Sequence, residues 1–113
     1  MDEQSVREHA QAHVDALRAG DIGLASQEMS PELQRNLGEL VAMLPLPLTD
    51  AAVESIEMAG TAYISVLRLT GEDGTIRVNA RWKDRDGRPT MVEASRVTEA
   101  MAEPTGDATE EEG

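Results

Sequence analysis

Three groups of residues in this chain are of the types that do chemistry. His9 and His13 stand four apart in HAQAH, so a helix would place both imidazoles on one face. The stretch RWKDRDGRPT, Arg81 to Thr90, gathers six charged side chains and a proline around Gly87, beginning beside the only tryptophan, Trp82. Tyr63 is the only tyrosine, and Arg77, Asn79 and Arg81 alternate along one segment, where they would form a row on one face of a strand.

Each group has a chemical reading and a plainer one. Two histidines four apart can share a metal, but a catalytic zinc takes three protein ligands, and HAQAH lacks the glutamate of the metalloprotease helix. We read no metal site there. Counting Gly87 as the sixth residue of a calcium loop puts Asp84 and Asp86 at the third and fifth positions and Glu93 at the twelfth. The first position would then be Trp82, which has no oxygen to offer, and strands flank the loop where helices are required. Asp-Gly between two alternating segments is instead a strong hairpin signal, since glycine reaches positive φ without cost. RWKDRDGRPT reads as a turn. The Arg77, Asn79, Arg81 row could hold an anionic ligand; the commoner reading is a polar sheet face paired with carboxylates across strands or across a dimer. His13 borders the apolar stripe of its helix. There it could donate, accept or act as a general base, or it could be a half-buried structural residue bonded to a backbone carbonyl, which is the plainer expectation. Tyr63 is a candidate hydroxyl donor, and Trp82 is a core or interface residue. The pocket candidates are therefore His13, Tyr63, Arg81 and Trp82, with no metal and no cofactor.

Bulk properties narrow the function classes. At 113 residues the chain fits one domain. Apolar residues make up 40% of it, with no phenylalanine and no cysteine, so the core must be aliphatic and there is neither a disulfide framework nor a thiolate site. The net charge of −12 is concentrated at the two ends: residues 1–60 carry 11 acidic and 3 basic side chains, and residues 99–113 carry 6 acidic and none basic. Between them, residues 61–98 carry 5 acidic and 7 basic. That balance repels phosphate backbones and offers no basic patch with stacking aromatics, which argues against nucleic acid as a partner. No apolar run approaches the roughly 20 residues that span a bilayer, and the acidic, polar start MDEQSVREH does not read as a signal peptide. The expectation is a cytoplasmic protein.

The elements follow from periodicity and punctuation. Ser5 and Glu8 have capping-box spacing, Val6, Ala10, Val14 and Leu17 recur at helical intervals, and Gly20 ends the helix. Asp21 can cap a short second helix. Ser30 and Pro31 open a third, carrying Leu33, Leu37, Leu40, Val41 and Leu44, until LPLPL stops it and covers one end of the core. From Ala52 the period changes to 2. VESIEM, TAYISVLRLT, TIRVNARWKD and TMVEASRVT then read as an antiparallel meander, although a helix from Thr49 competes for the first of them. Ile76, Val78, Ala80 and Trp82 share one face of their strand. The preceding strand is apolar on both faces, with Ile64 and Val66 on one and Tyr63, Leu67 and Leu69 on the other. Helices cover one face only, so a second protomer is expected on the other. The acidic residues 99–113 read as a disordered tail.

Helices first and a meander afterwards make an α+β domain over residues 1–98. At HVDALRAGDIGLASQEM the chain resembles the nuclear transport factor 2-like superfamily, which includes SnoaL-like and ketosteroid isomerase-like proteins, and the RWKDRDGRP hairpin and the strand after it also look like that family. The resemblance covers roughly residues 5–98. It implies N-terminal helices on a curved antiparallel sheet, a cone-shaped, cystatin-like body around a pocket, and dimerisation through the sheet. It implies no particular reaction. In ketosteroid isomerase-like enzymes a tyrosine seven residues before the glycine of the "GD" turn donates to the developing oxyanion; here that residue is His13. Their catalytic aspartate follows the second helix, where this chain reads MSPELQRNL. The contiguous DRD at 84–86 is also unlike the dispersed Asp-Arg-Asp set of epoxide hydrolases of this fold. The expectation is a homodimeric, non-catalytic small-ligand-binding or protein-interaction module. A small enzyme using His13 with Tyr63 is the alternative.

Overall fold

A computed structural model describes residues 1–97, so the acidic segment 99–113 lies outside the described residues. Four helices, α1 (Glu3–Ala19), α2 (Ile22–Ser26), α3 (Pro31–Gln34) and α4 (Leu37–Ala42), precede four strands, β1 (Leu48–Ala59), β2 (Ala62–Gly71), β3 (Gly74–Arg85) and β4 (Arg88–Val97). The strands pair antiparallel in the order β1-β2-β3-β4. Of the described helices, none is long and apolar enough to cross a membrane.

The helix ends are held largely by the residues whose chemistry suits them. Gly20 adopts φ 79° and sends its N–H back to the carbonyls of Ala16 and Leu17. Asp21 accepts from Leu24 N at 3.0 Å, and Ser30 accepts from Leu33 N at 3.1 Å. At the first helix the cap is Asp2 rather than Ser5: its carboxylate accepts from the Ser5 N–H at 2.8 Å, so the helix starts earlier than expected. A carboxylate also suits the positive end of the helix dipole. The expected third helix is two. Asn36 leaves helical geometry at φ −104°, ψ 19°, and the chain turns there. Leu33 is thereby buried where α3 packs against β4, while Leu37, Leu40, Val41 and Leu44 are redirected over the sheet.

Side-chain alternation assigns the sheet faces. Tyr63, Ser65, Leu67 and Leu69 are buried on β2 and pair with Trp82, Ala80, Val78 and Ile76 of β3. This is the helix-covered face, with Val6, Ala10, Val14 and Leu17 of α1 in the same core. The docking of α1 thus decides between two faces that the sequence left equivalent. Tyr63, Leu67 and Leu69 belong to the protein's own core, and Ile64 and Val66, each half-buried, lie on the face that none of the described helices covers. Trp82 is core and not interface: it is fully buried, and its indole N–H donates to Ser65 Oγ at 2.9 Å. Register shifts in β1 and opposite Arg81–Trp82 in β3 mark bulges, which bend strands and help curve the sheet over the helices.

Two close approaches complete the frame. Gly71 lies so near the Pro45 carbonyl that a Cβ there would collide with it, so LPLPL does cover one end of the sheet, and a glycine permits it. At the other side, Met91 N donates to Glu28 O at 2.7 Å and Ser30 N donates to Met91 O at 2.8 Å, forming a short parallel bridge between the α2–α3 connection and β4.

Candidate functional site

The interior pocket lies between the helices and the covered sheet face. Its walls come from Leu17 of α1, Ile22 and Ala25 of α2, Met29, the α4 region, Leu67, Leu69 and Val78 of the sheet, and Met91 and Ala94 of β4. Among the described residues, His13 is its one polar side chain. The free space is about 30 Å³, room for one or two waters.

His13 enters this pocket because α1 places it one turn from Leu17 on the buried stripe, where only 4% of it is exposed. Its Nδ1 lies 3.0 Å from the Ala25 carbonyl oxygen. A carbonyl can only accept, so Nδ1 carries the hydrogen and donates. Burial holds the imidazole pKa below its ordinary value; the bond to Ala25 and the Glu28 charge push the other way and are the smaller effects. His13 is thus neutral near pH 7, with Nε2 a bare acceptor. No hydrogen-bond donor among the described residues meets Nε2.

The other candidates are distributed differently. Tyr63 and Trp82 are cross-strand neighbours in the same core but do not line the pocket, and no hydrogen bond joins Tyr63 to His13. Arg81 pairs with Ile64 in the β2–β3 register, on the opposite face of the sheet from the pocket. It is excluded as a pocket residue by strand alternation alone. His9 does not join His13 either: its Nδ1 is 2.8 Å from Glu28 Oε1, which also receives Arg88 at 3.3 Å. No group of three or more metal-ligating side chains is found among the described residues.

On the open face, Arg77 Nε donates to Glu54 at 2.8 Å, and Arg68 reaches Glu54 and Asp50 at 3.6 and 3.7 Å. The Arg77 hydrogen bond holds the Glu54 carboxyl below its usual range. This part of the row is paired across strands, as the plainer reading anticipated. The hairpin also resolves as a turn: Asp86 and Gly87 take φ 57° and 79°, and Asp84 accepts from the Gly87 N–H at 2.8 Å.

Sequence reasoning did not identify the α4 wall, because a single continuous helix was expected there. It also did not identify Met29 and Met91 as walls, since nothing local in the sequence predicts their bridge. Glu28, which ties α1 to β4 through His9 and Arg88, was likewise overlooked.

Solved structures share this arrangement of helices and sheet. A nuclear transport factor 2-like protein of unknown function from Burkholderia xenovorans superposes with TM-score 0.57 at 20% identity, over 87% of this chain and 88% of its own. Another from Shewanella baltica gives TM-score 0.63 at 14% identity over 80% and 88% of the two chains. The fold is nuclear transport factor 2-like. A third such protein, from Shewanella oneidensis, gives TM-score 0.63 at 13% identity, with 98% of its length covered. No family model matches the sequence, and no curated protein matches it.

Where the resemblance to ketosteroid isomerase-like enzymes places a donating tyrosine, His13 offers an acceptor. Among the described residues, the pocket lining also holds no carboxylate. An oxyanion would find no donor from His13 there.

Proposed function

We propose that the protein is a non-catalytic small-ligand-binding module that acts as a cytoplasmic homodimer. The observation that carries this reading is the pocket itself: a wholly apolar lining interrupted by one neutral histidine already oriented by a backbone carbonyl. Catalysis of proton transfer needs a second group to hold charge or orient the first, and Tyr63 and the carboxylates stand elsewhere. Binding needs only apolar walls and one directional polar atom. For the dimer, support comes from the uncovered sheet face. Ile64 and Val66 border a groove of about 180 Å³ there, together with Asn79 and residues of the β1–β2 hairpin.

Native mass spectrometry of the purified protein tests both parts. A dimer with a reproducible added mass is the expected result. A dimer without an adduct would favour a protein-interaction module, and a monomer would sink the assignment of the Ile64–Val66 face. Turnover of a ketosteroid by the wild type that is lost in His13→Ala would restore the enzyme reading.

A further inference from the structure

The state of His13 and the construction of α4 together say what kind of molecule the pocket can take. We propose that it binds a small, mostly apolar molecule carrying one hydroxyl, whose proton is donated to His13 Nε2, and that α4 is the wall that yields to admit it. This rests on the ligand-binding reading above and narrows it to a chemical class.

In the neutral ring, with Nδ1 committed as donor to Ala25 O, the other ring nitrogen can only accept. It is a buried acceptor without a donor among the described residues, in a pocket whose other walls are apolar. Such a group favours a partner that brings its own hydrogen. A ketone or an ionised carboxylate brings only acceptors, and either would set lone pair against lone pair. A protonated alcohol or phenol brings the missing donor and an apolar body for Leu17, Met29, Leu67 and Met91.

About 30 Å³ will not hold even a six-carbon ring, so a wall must move. The sheet and α1 are fixed by long ladders and fully buried side chains. By contrast, α4 is six residues long, has no fully buried residue, and its N-cap Asn36 makes no side-chain cap bond. It contributes Leu37, Leu40 and Val41 to the pocket from a position that costs little to displace.

The test is an NMR titration of the full chain with cyclohexanol and, separately, cyclohexanone, which match in shape and differ in the donor. Cyclohexanol should bind roughly tenfold more tightly, with shifts at His13 Nε2 and the α4 amides. Equal affinities, or a preference for the ketone, would overturn the donor requirement and leave the pocket reading standing. If neither probe moves the pocket methyl groups, the pocket reading itself fails and this inference with it. Binding of cyclohexanol with unmoved α4 amides would overturn the role given to α4. In His13→Phe the preference for the alcohol should vanish while both probes still bind; a retained preference would overturn the role of His13. Should that variant not fold, the long-range nitrogen spectrum of wild-type His13 decides: a hydrogen on Nε2 overturns the proposal, and a bare Nε2 supports it.

Discussion

His13 makes the stability of the protein depend on pH in a window of its own. Because burial depresses its pKa in the folded state, the unfolded chain takes up the proton first as pH falls below about 6.5. The unfolded state then binds more protons than the native one, so stability is full above that value and declines below it. The carboxylates with lowered pKa, Asp2, Glu32 and Glu54, are lost by the same sign only lower, as pH falls below about 4.3. Urea midpoints should therefore drop between about pH 7.5 and about pH 5.5 in the wild type, and the drop should shrink in His13→Phe. A midpoint that does not change over this range in the wild type would contradict the burial of the neutral ring. Ser65 offers a second residue-scale test. It and Trp82 are both fully buried, and Ser65→Ala would leave the indole N–H without its acceptor. The expected loss is about 1–3 kcal/mol in chemical denaturation.

Among the elements, what could be read from the sequence was whatever short-range physics decides. Gly20, Asp21, Ser30 and the Asp86–Gly87 turn all act as their chemistry predicts, because a cap or a two-residue turn is settled within a few residues. The strand alternation of Ile76 to Trp82 was legible for the same reason. What was not legible depended on partners distant in the chain. The break at Asn36 interrupts a run whose apolar spacing alone suits one helix, and it follows from where Leu33 and Leu37 each find cover. The faces of β2 could not be ranked, since both are apolar and only the docking of α1 chooses between them. Arg81 was assigned to the pocket for its chemistry, and strand alternation relative to the buried Trp82 puts it on the far side. Gly71 supplies the element-scale prediction. Gly71→Ala forces β2 away from the Pro45 carbonyl, backbone against backbone, and should cost about 1–3 kcal/mol, read as a lowered denaturation midpoint. Hydrogen exchange gives a fourth test: α4 amides should exchange faster than those of the buried stripe of α1, and equal protection would argue against a displaceable α4.

At the scale of the whole molecule, the covered and uncovered faces of one sheet divide the work. The covered face holds the core and the pocket; the uncovered one carries Ile64 and Val66 among charged pairs such as Arg77–Glu54. If two copies meet there, Val66→Asp should convert a dimer to a monomer in sedimentation velocity while leaving the far-ultraviolet circular dichroism unchanged; an unaltered dimer would place the interface elsewhere. The bridge between Met29 and Met91 has a consequence of another kind. Among the described residues the sheet ends in two edge strands, β1 and β4, and an open edge is a template on which a foreign strand can grow. Around Met91 that template is already occupied, its amide and carbonyl taken by Glu28 and Ser30 of the same chain. The α2–α3 connection thus leaves no free amide or carbonyl at Met91 for strand addition, and a chain that lost the bridge would be expected to turn turbid before it lost its fold.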